Sequence, residues 1–148
     1  MNTAKVQKEV LNRLLSNDPV RIQKLDKDVF VSTNGFWATR IPIKNVCFNL
    51  EKCTEFNKLS EFFLLDQKDV PLKFTKTMKE TPDGVLMKLV PENATFEVWV
   101  SRKLLNICGE INLFGSSPIQ PIKCQNQITG QIDVVVMPTR VLDEIQGK

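Results

Sequence analysis

The residues of this chain that could bind a metal or act as nucleophiles are its four cysteines, Cys47, Cys53, Cys108 and Cys124. A zinc site usually takes cysteines in a CxxC spacing or adds histidines. Cys47 and Cys53 are six residues apart, and the chain has no histidine. Disulfide-stabilised domains are usually smaller and denser in cysteine. We therefore expect free or buried thiols, no metal site and no cofactor.

The absence of histidine also weighs against catalysis. A Cys or Ser nucleophile normally needs a nearby general base, which is most often histidine. The carboxylate pairs Asp66/Asp69 and Asp143/Glu144 are typical of solvated surface charges. The six glycines are scattered and form no phosphate-binding loop. We therefore expect no catalytic residue, and that the protein is not an enzyme.

Length and composition indicate one globular domain over residues 1–148. Hydrophobic residues make up 42% of the chain and charged residues 25%, which is typical of a folded domain with one core. The net charge of +3 permits contact with nucleic-acid backbone without demanding it. The longest apolar runs are too short to cross a bilayer, and no signal region follows Met1. We expect a cytoplasmic protein without membrane contact.

The N-terminal part predicts a helix followed by a three-strand meander. Thr3 can cap a helix over residues 4–16, and Asn17-Asp18-Pro19 can end it. Its apolar positions recur at helical spacing: Val6, Val10, Leu11, Leu14 and Leu15. Strands are predicted over residues 20–25, 29–33 and 36–43, with an Asn34-Gly35 hairpin turn before the last. In residues 47–69, the spacing of Phe56, Leu59 and Phe63 suits a helix.

The C-terminal part predicts strands around a second short helix. Strands are expected over residues 72–77, 85–90 and 96–100, with turns at Pro82-Asp83-Gly84 and 91–93. Ser101 is a good N-cap for a helix over residues 102–108, and Gly109 is its expected stop. Three more strands are predicted over residues 111–114, 119–124 and 131–137.

Residues 96–141 carry the most specific pattern of the chain. Residues 98–105 (VWVSRKLL) run from a strand into a helix, Ser117-Pro118-Ile119 forms a turn, and residues 134–141 read VVVMPTRV. These tracts resemble a domain of the bacterial DNA sliding clamp, which has a Ser-Pro-Leu turn and closes with valines and Met-Pro-Met-Arg-Leu. More weakly, Thr33-Asn34-Gly35 in residues 31–39 is similar to the family's Thr-Asp-Gly-His-Arg-Leu-Ala tract.

The resemblance implies an α+β fold: a single DNA-clamp-like domain with two helices packed on an antiparallel sheet. Six such domains close a ring whose helices line the DNA hole, so small subunits could form a homo-oligomeric ring. It implies a processivity factor or replication accessory protein that binds double-stranded DNA non-specifically. The candidate DNA-facing residues are Lys5, Lys8, Arg13, Arg102 and Lys103.

The resemblance also implies a pocket for short peptides of a DNA polymerase or other clamp-binding proteins. Its candidate residues are Thr33, Gly35, Phe36, Ser117, Pro118, Val135, Met137 and Pro138. Clefts that take peptides are mainly apolar, and a flexible methionine tolerates varied ligands. The alternative for Val135 and Met137 is that they fill the core, and the alternative for each basic residue is a solvated helix face.

The chain departs from the clamp family in three ways. It has room for one domain where clamp chains usually carry three, residues 44–95 show no convincing match, and residues 141–148 form an additional tail. These departures favour an alternative function: a non-ring adaptor, inhibitor or decoy of replication proteins, encoded by a phage or another mobile element. An enzyme of unrelated class is the third alternative.

Overall fold

A computed structural model of the chain describes residues 3–33, 37–108 and 112–139. Over these residues, two helices, α1 (Thr3–Leu15) and α2 (Arg102–Cys108), pack on one sheet of ten strands. The α+β class and both helices are therefore as the sequence predicts. Neither helix is long and apolar enough to cross a membrane.

Helix α1 buries a narrower stripe than its apolar pattern predicts. Val6 and Val10 are fully buried, and Leu14 packs against the same core. Leu15 lies nine residues after Val6, about two and a half turns at 3.6 residues per turn, and so points to the opposite side. It is 82% exposed, and Leu11 is 38% exposed. These two apolar positions therefore do not lie on the buried face with Val6 and Val10.

Nine of the ten described strands lie on predicted runs. The strand bounds are β1 (Val20–Leu25), β2 (Asp28–Thr33), β3 (Trp37–Pro42), β4 (Thr54–Glu55), β5 (Val70–Thr81), β6 (Gly84–Pro91), β7 (Val98–Ser101), β8 (Asn112–Gly115), β9 (Ile122–Gln125) and β10 (Ile132–Val136). Strand β4 was not predicted, β5 is twice its predicted length, and β9 begins three residues after its predicted start. Gly84 follows the Pro82-Asp83 turn with φ of 129°, a backbone angle that glycine adopts readily. The predicted Asn34-Gly35 turn and the Gly109 stop lie outside the described residues.

The strand order in the sheet is β4-β1-β2-β3-β10-β9-β8-β5-β6-β7. Every pairing is antiparallel except one, in which Arg21 and Ile22 of β1 lie beside Thr54 and Glu55 of β4 in parallel. The sheet is therefore mixed, and the prediction of a purely antiparallel sheet is wrong at this edge. A parallel neighbour needs a crossover connection, and the chain from β3 to β4 supplies it through 3₁₀ turns at Ile43–Asn45 and Leu50–Lys52.

The topology contains one unit twice. Helix α1 is followed by β1, β2 and β3, and helix α2 is followed by β8, β9 and β10. The two units meet through β3 and β10, which pair antiparallel with Ala38 opposite Val135. Their strands stand in mirrored order, β1-β2-β3 beside β10-β9-β8. This order is the one expected for two units related by an approximate two-fold axis that passes between β3 and β10. Such an axis keeps both helices on one face of the sheet.

The core on the helix side of the sheet is the larger of two apolar clusters. Val6 and Val10 of α1 belong to it, and Leu104 and Leu105 of α2 pack against it. Alternate residues of the strands complete this inner face, among them Val29, Val31, Ile41, Ile122, Val134 and Val136. Each such side chain stabilises the fold by about 1.5–3 kcal/mol relative to an exposed position.

Residues 54–69, here called the crossing segment, cover the opposite, outer face of the sheet. Phe56 N–H donates to the Ile22 carbonyl oxygen at 2.9 Å. The 3₁₀ helix Leu59–Phe63 follows, in the region where the spacing suits a helix. Leu59 and Phe63 are its buried residues. The segment ends at Asp69, whose carboxylate accepts from Lys123 Nζ at 2.7 Å.

Leu59 and Phe63 complete a second apolar cluster on this outer face. They pack with Phe30 of β2, Ala38 of β3, and Ile132 and Val135 of β10. The crossing segment is therefore part of the folded domain, although residues 44–95 carry no clamp-like motif.

Candidate functional site

Four of the five basic residues proposed to face DNA are exposed on the helix side of the sheet. Lys5 and Lys8 are exposed on α1, and Arg102 and Lys103 are exposed on α2. Each pair lies in the first half of its helix, at similar positions in the two repeated units. The fold therefore brings two basic pairs, separated by nearly a hundred residues of sequence, onto one face of one sheet.

Helix stability alone does not explain where these cations lie. The N-terminal end of a helix carries a partial positive charge that favours anions and disfavours cations. Yet neither helix has an acidic residue in its first turn, while Lys5, Arg102 and Lys103 are close to those ends. This charge placement suits an external polyanion better than it suits the isolated helix.

Arg13 differs from the other four candidates. Its side chain is 32% exposed and pairs with two carboxylates, Glu9 Oε1 at 3.2 Å from Nε and Asp18 Oδ2 at 3.3 Å from Nη1. Two negative charges around one positive charge leave little attraction for phosphate. Arg13 is therefore the least suited of the five to contact DNA, although it lies on the same helix.

The candidate peptide-pocket residues converge on one end of the sheet. Thr33 pairs with Trp37, Trp37 with Val136, and Val136 with Ile122. The connection that contains Ser117 and Pro118 enters β9 at this same end. Met137 and Pro138 leave β10 there and are half-buried. Gly35 and Phe36 lie outside the described residues.

The two buried members of the set point to opposite faces. Thr33 is fully buried in β2, and the alternation of side chains along a strand puts it on the inner face with Val29 and Val31. Its Oγ1 has no hydrogen-bond partner among the described residues. Val135 is 4% exposed and belongs to the outer cluster. Val135 therefore lies in the core, which was the alternative to a role in the peptide pocket.

The accessible part of the candidate pocket is the connection between β8 and β9. Ser117 Oγ accepts from the backbone N–H groups of Ile119 and Gln120 at 3.3 and 3.1 Å, which shapes the turn. Pro118 is exposed and Ile119 is 51% exposed. This turn presents an apolar surface instead of burying it.

Sequence reasoning missed an exposed apolar run on the outer face. Phe62, Leu64 and Leu65 are 44%, 67% and 45% exposed. The Leu64 carbonyl oxygen accepts from Lys123 Nζ at 2.6 Å, so the run lies over β9. The only signal in the sequence was the consecutive apolar residues 62–65, which do not reveal which side chains are exposed.

Arg40 of β3 is a second residue that sequence reasoning missed. Its guanidinium carbon lies 5.0 Å from the ring centroid of Phe30 and 5.8 Å from that of Phe63. The two rings pack edge-to-face with centroids 4.8 Å apart. The Nε atom of Arg40 is buried and has no hydrogen-bond partner among the described residues. No pattern in the sequence distinguishes this arginine from the others.

Glu97 and Cys53 have pKa values shifted from their ordinary values. The hydrogen bond from Lys88 holds the pKa of Glu97 below its ordinary value; burial opposes this effect, and Trp99 adds a weaker bond. Burial raises the pKa of the Cys53 thiol, which disfavours the reactive thiolate. No group of three or more Cys, Asp or Glu residues is placed to hold a metal among the described residues.

Comparison of the chain with family models, with curated proteins and with solved structures finds no match.

Proposed function

We propose that this protein is a DNA sliding-clamp-like processivity factor or replication accessory protein. On this proposal the helix face contacts double-stranded DNA without sequence preference, and the outer face docks peptides of a polymerase or another clamp-binding protein. The observation that carries the proposal is the placement of both helices, each with an exposed basic pair, on one face of a single sheet.

The chemistry of the helix face agrees with non-specific DNA binding. Lysine and arginine contacts to phosphate position a protein on a duplex and carry no sequence information. Each neutralised phosphate releases counterions, so binding weakens as salt rises. A cationic helix face opposite an apolar outer face separates the two binding tasks on one small domain.

The test is a pair of quadruple variants with equal loss of charge. The first is K5Q/K8Q/R102Q/K103Q, which removes the helix-face charges. The control is R21Q/K58Q/K68Q/K73Q, which removes one arginine and three lysines that are exposed elsewhere. DNA affinity is measured by fluorescence anisotropy with duplexes of several unrelated sequences. The measurement is repeated over a range of salt concentrations.

We expect the helix-face variant to bind DNA more weakly. The magnitude of the slope of log affinity against log salt should fall by about 0.9 for each lost phosphate contact. The control should retain most of that slope. Equal effects in the two variants would show a general charge effect and contradict a helix-face DNA site.

One observation favours the second candidate function, a non-ring adaptor, inhibitor or decoy of replication proteins. Thr139 N–H donates to the Trp99 carbonyl oxygen at 2.7 Å. The chain after β10 therefore occupies part of the edge of β7 that does not pair with β6. An edge strand with open backbone groups is a template for pairing with another chain. Occupation of this edge leaves less of it for strand pairing between ring subunits.

A further inference from the structure

Arg40 is a charged side chain that pairs with no carboxylate of the described residues. It belongs to none of the four ion pairs found among the described residues. Its Nε is buried without a hydrogen-bond partner, whereas the residue as a whole is only half-buried. The terminal amino groups make no hydrogen bond within the described residues and are not among the buried unpartnered atoms, so they are accessible at the outer face.

The two phenylalanines fix the orientation of this guanidinium. Phe30 comes from β2 and Phe63 from the crossing segment, so Arg40 lies where the segment closes over the sheet. Cation–π contacts favour the charged group over ring faces, but they leave its N–H donors unsatisfied. A rigid, planar guanidinium with free N–H groups matches a carboxylate in a two-point hydrogen bond. Because the side chain is already ordered, little further entropy is lost on binding.

We propose that Arg40 is the receptor for a carboxylate of a peptide docked on the outer face. This inference rests on the proposed function and specifies the chemistry of the partner: an apolar peptide with an acidic side chain or a free C-terminus. The positive charge of Arg40 is complementary to the carboxylate of the peptide. The exposed Phe62, Leu64 and Leu65 provide an apolar surface for the apolar residues of the same peptide.

A peptide carboxylate fits this site better than a DNA phosphate. DNA is held by a series of cations that neutralise successive phosphates, whereas Arg40 is held singly between two phenylalanine rings. On the outer face, Lys123 is engaged by Asp69, whose side chain is 3% exposed. Arg40 thus forms none of the ion pairs of the described residues and lies against Phe30 and Phe63, the composition of a peptide site with one polar anchor.

The experiment is selection of a random twelve-residue peptide library on the full-length protein and on three variants. R40Q removes the charge, R40K keeps the charge without the planar fork, and R21Q is the matched control. Arg21 also stacks on a phenylalanine, at 5.2 Å from the Phe56 centroid, but its side chain is exposed. Circular dichroism melts establish that each variant is folded before selection.

We expect the wild-type protein and R21Q to enrich peptides that combine Asp or Glu with apolar residues. The affinity of a selected peptide should fall about tenfold or more in R40Q, the loss of one charge-assisted hydrogen-bonded pair, and less in R40K. Peptides selected without acidic residues, or bound equally well by R40Q, would overturn the role of Arg40 while leaving peptide docking intact. Failure of the wild-type protein to select any peptide would remove both this role and the docking part of the proposed function.

A second readout separates carboxylate from phosphate. Sodium acetate and inorganic phosphate are titrated at constant ionic strength while the Arg40 Nε–Hε signal is followed by NMR. A saturable shift with acetate that is weaker with phosphate supports the proposal. A stronger response to phosphate, with binding of double-stranded DNA lost in R40Q, would assign Arg40 to nucleic acid and overturn it.

Discussion

At the scale of single residues, the polar side chains in the core separate into those with partners and those without. Ser32 Oγ donates to the Trp37 carbonyl oxygen at 3.1 Å. Thr33 and Thr39 are fully buried, and their hydroxyls have no partner among the described residues. An unsatisfied buried polar group costs about 1–3 kcal/mol. The β2–β3 hairpin therefore contains two polar groups that stability alone does not favour.

Replacing Thr33 by valine should stabilise the protein by about 1 kcal/mol, because the side chain keeps its shape and loses an unsatisfied hydroxyl. The matched change, S32A, should destabilise it by about 0.5–1.5 kcal/mol, because it removes a hydrogen bond that is made. Urea unfolding of both variants measures the difference. A destabilised T33V would mean that the hydroxyl has a partner, and it would restore Thr33 as a candidate polar anchor.

The pKa of Glu97 should depend on Lys88, whose Nζ lies 3.0 Å from Glu97 Oε2. Because this pKa is lowered in the folded protein, Glu97 contributes stability above its unfolded pKa and loses that contribution as the pH falls through the folded value. K88Q should raise the Glu97 pKa towards the ordinary value. An NMR titration of the Glu97 carboxyl carbon in the wild-type protein and in K88Q measures it; an unchanged midpoint in K88Q would contradict the assigned cause.

At the scale of elements, the crossing segment has the largest effect on the outer face. It is tied to β1 by the N–H of Phe56 and by Ser60 N–H, which donates to Gln23 Oε1 at 2.8 Å. At its other end the Lys123–Asp69 pair holds it over β9. Between these ties, its neighbouring phenylalanines differ in role: Phe63 is 2% exposed and Phe62 is 44% exposed.

Truncating Phe63 to alanine should lower the free energy of unfolding by about 3–5 kcal/mol, the usual cost of removing a buried phenylalanine. F62A should change it by no more than about 0.5 kcal/mol, because Phe62 is a surface residue. Urea denaturation compares the two, with F63L as a milder variant if F63A does not fold. Similar losses for both positions would mean that the segment packs differently on the sheet.

At the scale of the whole molecule, the proposed ring depends on self-assembly. A chain with one clamp-like domain would need about six copies to supply the domains of a clamp ring, and closed symmetry is the usual way for identical subunits to achieve this. The occupied edge of β7 argues in the other direction. The two candidate functions therefore differ in one measurable quantity, the mass in solution.

Size-exclusion chromatography with light scattering, at several protein concentrations and with and without DNA, measures that mass. The sliding-clamp proposal predicts a discrete oligomer near six protomers. A monomer at every concentration, with and without DNA, would exclude a self-assembled ring and favour the adaptor or decoy. The T139P variant, which removes the N–H that bonds to Trp99, tests the edge directly: if this bond blocks assembly, the variant should form larger species.

The sequence alone determined the local elements of this protein. Helical spacing in residues 4–16, turn residues such as Pro82-Asp83-Gly84, and alternation along the strands are properties of near neighbours, so both helices and most strand bounds were predictable. Contacts between distant residues were not. The parallel pairing of β4, the exposure of Leu15 and the packing of Arg40 between Phe30 and Phe63 depend on which segments meet. Only the tertiary structure decided these features, because burial and electrostatic environment come from neighbours far away in the chain.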